Sequence, residues 1–375
     1  MRDKTKEIAN IIVVIVIVLG LGIFGLIEPD KDYSDNERRA LASMPEVNLE
    51  KIFSGEDSRF MDDFEGYAED QFPLREQFRM VNSATSRYLL GKSENNNLCI
   101  KDGYIIKLDY VINTNSINRS ISRMKYISDT YLSGDNVFFA VIPDKNYYLS
   151  ARPDVLTYDY DEFMNICKNE TKDFASFIDL RDHLSIRNYY YTDTHWKQET
   201  LQDVADYLIY SMIGNDWSYS THNAILCENL FTDDFEGVYY GQLALPVRKD
   251  SIMYMDGHYV DSLVAYCYDT GSQVEIDIYD EQKGKGKDPY ELYLTGSKSL
   301  ITIENKEARD QRELIVFRDS FGSSIATLLA GGYSKVTLID IRYISPEMLG
   351  KFVDFEDKDV LFLYSSQVLN NTTFK

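Results

Sequence analysis

Glu313-Leu-Ile-Val-Phe-Arg-Asp-Ser-Phe-Gly322 is the stretch from which the rest of the chain can be read. After Glu313 its first half is the apolar run Leu314-Ile-Val-Phe317, the pattern of a buried strand. Its second half turns polar, and the helix that follows is closed by Gly331-Gly332. A strand passing through a tight turn into a helix is half of a βαβ unit, and the same rhythm recurs in both directions. Upstream, Asn136-Val-Phe-Phe-Ala-Val-Ile-Pro143 is a second buried strand, followed by a helical stretch near 160–175, the strand Ser176-Phe-Ile-Asp-Leu180 and a helical stripe of Leu201, Val204, Ala205, Leu208 and Met212. Downstream, Val336-Thr-Leu-Ile-Asp340 and Val360-Leu-Phe-Leu-Tyr364 complete the strands. The expected class is α/β.

Two regions depart from this rhythm. Residues 215–311 hold short alternating segments (Gly237-Val-Tyr-Tyr, Ser251-Ile-Met-Tyr-Met, His258-Tyr-Val, Val274-Glu-Ile-Asp-Ile-Tyr) and read as a β-rich insertion apart from the parallel sheet, with Lys283-Gly-Lys-Gly-Lys287 at a hairpin tip. Ahead of the sheet, the spacing of Phe60, Phe64 and Tyr67, then of Phe78, Val81 and Tyr88, predicts helices near 54–69 and 73–91. A hairpin about Asp102-Gly103 and a helix near 114–133 follow. The organisation expected is a cytoplasmic tip and anchor over 1–28, a stem and helical collar over 29–95, and a main domain over 96–375 with its insertion at about 215–311.

The anchor is read from Ile8 to Ile27, apolar except for Asn10. About 20 helical residues cross about 30 Å of hydrocarbon. Arg2, Lys4 and Lys6 ahead of it exceed Asp3 and Glu7, which keeps the N-terminus cytoplasmic and exports the rest. Gly25-Leu-Ile-Glu-Pro-Asp offers no small-x-small cleavage site, so an uncleaved single-pass anchor in the plasma membrane is expected over a signal peptide. The net charge of −22 over 375 residues, without a large basic cluster, excludes phosphate-neutralising contact with nucleic acid. Cys99, Cys167, Cys227 and Cys267 are widely spaced, which argues against a zinc ribbon and leaves one or two disulfides open.

Chemistry concentrates in two motifs. Ser320 sits on the tight turn between strand and helix, where helix N-terminal N–H groups can receive an oxyanion. Tyr191-Thr-Asp-Thr-His-Trp196 places Asp193 and His195 in a loop after the Ser176–Leu180 strand, at the edge where open α/β sheets bind ligands. A serine hydroxyl needs a base, and the base needs a carboxylate on its other nitrogen. The chain supplies all three. Each motif alone reads as a helix cap or a satisfied loop histidine; with only four histidines in the chain, their joint placement weighs more. A metal set of Asp182, His183, Asp193 and His195 lacks regular ligand spacing, and no metal or cofactor is expected.

Asp193-Thr-His-Trp196, Arg318-Asp-Ser-Phe-Gly322, Ile339-Asp-Ile-Arg-Tyr343 and Leu363-Tyr-Ser-Ser-Gln-Val-Leu-Asn-Asn371 together resemble the DHHW-type proteins, relatives of the alginate O-acetyltransferases. Asn36-Glu-Arg-Arg-Ala-Leu41 and Phe72-Pro-Leu-Arg75 are similar to that family's stem. The resemblance implies an SGNH-hydrolase-like three-layer α/β/α domain with circularly permuted motif order, since Asp193 and His195 precede Ser320. It further implies Ser320 as acetyl-accepting nucleophile, His195 as general base and then acid, and Asp193 as the orienting carboxylate. Thr194 replaces the family name's first histidine, and Arg318 the glycine of the usual Gly-Asp-Ser block, where it could crowd the turn. The asparagine block has no match; Gln367 or Asn370 occupies its place as a side-chain donor. Trp196 is expected to wall the pocket or fill the core, and Asp340 with Arg342 to form a bracing bidentate pair.

The function implied is O-acetyl transfer to a cell-surface polysaccharide acceptor. No acetyl-coenzyme A exists outside the cell, so a membrane-embedded partner is expected to donate the acetyl group. A carbohydrate acetylesterase and a catalytically silent glycan- or envelope-binding module are the alternatives.

Overall fold

The computed structural model describes residues 2–47, 59–132, 136–214, 226–269 and 271–371, and the chain divides into two compact units. One comprises Met1–Asn96 with Tyr240–Val247; the other comprises Asn97–Tyr239 with Arg248–Lys375.

In the second unit eight strands form one sheet: β1 (Val137–Ile142), β2 (Ser176–Asp179), β3 (Leu263–Cys267), β4 (Val274–Ile276), β5 (Leu300–Asn305), β6 (Glu313–Arg318), β7 (Lys335–Ile339) and β8 (Asp359–Ser365). Their order across the sheet is β4-β3-β5-β7-β6-β8-β1-β2. From β7 to β2 every pairing is parallel, with Phe317 opposite Ile339 and Arg318 opposite Leu363. Alternation along the strands loads both faces of the sheet. Leu314, Val316, Ala140 and Leu363 pack with the helices Gln202–Ile213 and Gly322–Leu329, while Ile315, Phe317, Phe139 and Phe362 pack with Thr114–Tyr131 and Tyr160–Thr171. The architecture is therefore helix, sheet, helix, with β6 buried at the centre.

The segment expected to stand apart from the sheet does so only in part. β3, β4 and β5 continue the sheet antiparallel beyond β7. They join it because Leu263, Ala265, Ile301 and Ile303 alternate inward onto the core that holds Leu314 and Val336. The strands Cys227–Phe235 and Asp250–Asp256 form a separate ribbon. Three further expectations for this segment are corrected. Val238–Leu243 and His258–Asp261 are helical, and the lysine run begins in the helical turn Glu281–Gly284 rather than at a hairpin tip. Gly284 is buried where a Cβ would lie 2.7 Å from the Phe231 ring, so packing rather than a tight turn accounts for that glycine.

In the first unit, the helices Phe60–Asp70 and Arg75–Ala84 match the aromatic spacing, the latter running on as a π-turn over Thr85–Leu89. The start of the first expected helix lies outside the described residues. Arg39, Arg75 and Arg79 converge on Glu37, Asp70 and Glu76, which ties the stem segment to these helices. Arg2–Ile27 forms one helix of 26 residues over the expected anchor. Several of its side chains are outside the described set, and among the described residues no helix is long and apolar enough to cross a membrane.

Candidate active site

Five parallel strands end at one edge of the sheet, and their carboxyl ends carry the polar residues. Ser320 stands two residues past the end of β6. Asp319, one residue earlier, accepts from the Phe321 N–H on Oδ1 at 3.0 Å and from the Ser365 N–H on Oδ2 at 2.8 Å, so one buried carboxylate closes the turn ahead of the helix and ties β6 to β8. Gly322 is needed on steric grounds: a Cβ there would stand 2.6 Å from the Arg318 Cβ. The turn is thus fixed by its own neighbours, and Ser320 remains partly exposed on it.

Asp193 and His195 arrive on the loop after β2. His195 Nε2 lies 2.7 Å from Ser320 Oγ, and His195 Nδ1 lies 2.6 Å from Asp193 Oδ1. With the Nδ1 proton donated to Asp193, Nε2 is left to accept from the serine hydroxyl, the tautomer a general base requires. Asp193 is fully buried; its Oδ1 also accepts from the His195 N–H at 3.0 Å, and its Oδ2 from the Val238 N–H at 2.8 Å. Bonds to the charged form keep such a carboxylate acceptor-only and fixed in direction. Tyr290 stacks on the imidazole with ring centroids 3.9 Å apart and planes 12° from parallel, while its hydroxyl donates to Ser324 Oγ at 2.9 Å.

The loop itself is held from outside. Asp250, buried at the start of the ribbon strand, accepts from the N–H groups of Tyr191 and Thr192 at 2.8 and 2.7 Å. Gly237 packs so closely that a Cβ would meet the Thr192 carbonyl at 2.4 Å and Asp193 Cβ at 2.5 Å. Lys145, three residues past β1 and 1% exposed, donates to the carbonyl oxygens of Tyr190 at 3.0 Å, Tyr191 at 3.3 Å and Asp193 at 2.7 Å. Burial pushes its ammonium down to about 7, against the pull of Asp193, Asp250 and Asp144.

The other sequence-derived candidates separate into two groups. Gln367 stays beside the relay: its Oε1 accepts from Thr194 Oγ at 2.9 Å and from the Tyr239 hydroxyl at 3.0 Å, which fixes the amide's orientation. Thr194 accordingly points away from the Asp193–His195 pair. Asn370 is a correction to its expected role as donor. Its Nδ2 donates to Asp109 and to the Val111 carbonyl, and its Oδ1 accepts from the Asn113 N–H, so the amide braces a helix start and has no donor left for substrate. Trp196 is core rather than pocket wall, fully buried with its N–H donated to the Phe321 carbonyl and Ser324 Oγ. Arg318 presses on the turn as expected: its Cβ, Cγ and Cδ lie 2.6, 2.9 and 3.1 Å from where a Gly322 Cβ would stand, so the arginine is accommodated because position 322 is glycine. Its buried guanidinium faces the Asp319 carbonyl at 3.3 Å and Asp340 at 4.0 Å, while Arg342 takes Asp340 bidentately at 2.8 and 2.6 Å.

Sequence reading missed Lys145, Asp250, Gly237 and Tyr290. Only Lys145 carried a local signal, as a charged residue in Pro143-Asp-Lys-Asn146 at the carboxyl end of a buried strand.

No protein-family model and no curated protein matches the chain. Solved structures do. A DHHW family protein from Eubacterium siraeum is 19% identical with a TM-score of 0.57, covering 74% of this chain and 94% of its own. Bacillus cereus PatB1, solved with a sulfonyl adduct, is 19% identical at a TM-score of 0.59, covering 74% and 97%. The O-acetyltransferase domain of Pseudomonas putida AlgJ aligns at 10% identity and a TM-score of 0.43 over 74% and 93%. The likeness to DHHW-type proteins first seen in short motifs is therefore a likeness of fold over 74% of the chain, shared with the Eubacterium siraeum protein and with PatB1.

Proposed function

We propose that the chain is a membrane-tethered, extracytoplasmic O-acetyltransferase acting on a cell-surface polysaccharide through an acetyl-serine intermediate. The observation that carries the reading is the continuous Ser320–His195–Asp193 relay, at 2.7 and 2.6 Å, on the ligand-binding edge of a parallel sheet. In the first half-reaction Ser320 Oγ attacks the acetyl carbonyl and its proton passes to His195 Nε2. Asp193 stabilises the imidazolium, which then returns the proton to the leaving oxygen as the ester bond breaks. In the second, His195 deprotonates a sugar hydroxyl, whose oxygen attacks the acyl-serine carbonyl; the proton returns to Ser320 Oγ. The Ser320 N–H at the helix start and the Gln367 Nε2, aimed by the two donors on its Oε1, supply the oxyanion contacts.

The apolar stretch in Arg2–Ile27 supports the tether, and a tether outside the cell supports an acetyl donor delivered by a membrane-embedded partner. The sulfonyl adduct on PatB1 supports a reactive site in this fold. A direct test is to incubate the full chain with p-nitrophenyl acetate and unacetylated polysaccharides of several classes. Ser320-dependent ester formation on a glycan is expected; release of free acetate alone would make the protein an esterase, and the absence of both would contradict catalysis.

A further inference from the structure

We propose that Lys145 is a positioning residue of the proposed acyl-transfer site: its ammonium holds the Asp193–Thr194–His195 loop in the reactive geometry, and loss of that proton disarms the site. The number of protons on Nζ decides whether the loop is held. Lys145 Nζ faces three carbonyl oxygens, those of Tyr190, Tyr191 and Asp193, and each is an acceptor only. An ammonium has three N–H bonds to give. A neutral amine has two, and its lone pair would then confront a third oxygen inside a buried site, where an unmade hydrogen bond is costly. The contact to the Asp193 carbonyl lies two residues from the base, so a shift there moves His195 against Ser320.

The surroundings place this proton in balance. Asp193, Asp250 and Asp144 favour the charge, Lys197 opposes it, and the rings of Tyr239 and Tyr104 flank it at 5.1 and 6.0 Å. The Asp144 carboxylate is occupied by the hydroxyls of Tyr160, Tyr158 and Ser366 and gives Lys145 no direct ion pair. Burial outweighs the three carboxylates, and the group titrates at about 7 instead of its ordinary 10.5. Between these values the unfolded chain binds more protons than the folded one. The contribution of Lys145 to global stability therefore rises with pH over the window in which the loop loses its clamp. A purely structural lysine would move stability and activity together; this one moves them apart.

The test follows kcat for p-nitrophenyl acetate from pH 5.5 to 9 in the full chain, as wild type, Lys145→Arg and Lys145→Met, alongside hydrogen exchange over residues 189–196. In the wild type kcat falls as pH passes through about 7. Lys145→Arg, charged throughout, removes that limb from the range. Lys145→Met lowers kcat by about ten- to a hundredfold at every pH with little change in KM. Protection of the loop amides, corrected for intrinsic exchange, is lost in Lys145→Met and in the wild type above the same pH. A wild-type kcat flat to pH 9, or a Lys145→Met profile like the wild type, overturns the inference. Because it rests on the acyl-transfer reading, the exchange arm decides separately: if no ester is turned over, loop protection insensitive to pH and to both substitutions still overturns it, and selective loss over 189–196 still supports it. Should Lys145→Met fail to fold, the wild-type titration and Lys145→Arg carry the test.

Discussion

The two halves of the candidate site are held in opposite ways. Ser320 stands on a turn that β6, its own helix and the neighbouring Asp319 determine, with long-range ties from Asp319 to Ser365 and from the Phe321 carbonyl to Trp196. The loop bearing Asp193 and His195 has almost no regular structure of its own. It is fixed by Lys145 from the end of β1, Asp250 and Gly237 from the ribbon segment, and Tyr290 from the short helical turn Pro289–Leu292, nearly a hundred residues away. A nucleophile set by local geometry tolerates change at a distance, whereas a base set by tertiary contacts does not. The site should accordingly be disabled by substitutions far from Ser320 more readily through its histidine than through its serine.

The largest expected effect sharpens the local half. Ser320→Ala should reduce turnover of an activated acetyl ester by roughly a millionfold while the melting temperature stays near wild type, because the turn does not depend on the hydroxyl. Asp193→Asn should cost about 10⁴-fold in kcat, measured on the same ester, since the amide cannot hold the base tautomer while accepting from both neighbouring N–H groups. Gly237→Ala probes the distant half without touching a reacting atom. Its Cβ must displace the Thr192 carbonyl, and a stability loss of about 1 to 3 kcal/mol in urea unfolding should accompany a kcat loss of about ten- to a hundredfold. If Gly237→Ala were as active as wild type, the contrast between the two halves would fail.

Smaller effects refine it. Tyr290→Ala should cost about 0.5 to 1.5 kcal/mol of transition-state stabilisation through the lost stack on His195, with Tyr290→Phe closer to wild type, as read from kcat/KM. Glu199, just beyond the loop, has its carboxyl raised by burial to about 7. The folded state keeps a proton that the unfolded state releases, so this group's contribution is full below about 4.5 and is lost as pH rises through 7. Glu199→Gln should flatten that part of a stability–pH curve, by on the order of 1 kcal/mol after solvent screening.

The same contrast separates what is legible in the sequence from what is not. β6 and its turn are legible because a buried run, a polar turn and a closing glycine pair lie within twenty consecutive residues. The parallel strands are legible for the same reason, each being an apolar run between turn residues. The placing of β3, β4 and β5 is not, because alternating Leu263, Ala265 and Cys267 specify a strand with one buried face but not the sheet it joins. Within the site, Ser320, Asp193 and His195 are legible as residue types at a sheet edge, whereas Asn370 misleads. Its position after β8 is right for a donor, but Asp109 and Val111, some 260 residues away in sequence, occupy it. Tyr290 and Gly237 act only through contacts that folding creates, and nothing near them in sequence marks them.

The most direct test of the central claim is intact-mass analysis of the full chain after exposure to an aryl sulfonyl fluoride and, separately, to an activated acetyl ester, with Ser320→Ala and His195→Ala treated alongside. A single covalent adduct on the wild type that maps to Ser320, absent from Ser320→Ala and formed far more slowly in His195→Ala, is the result expected of a nucleophile activated through His195. Equal labelling of all three proteins, or none, would contradict it.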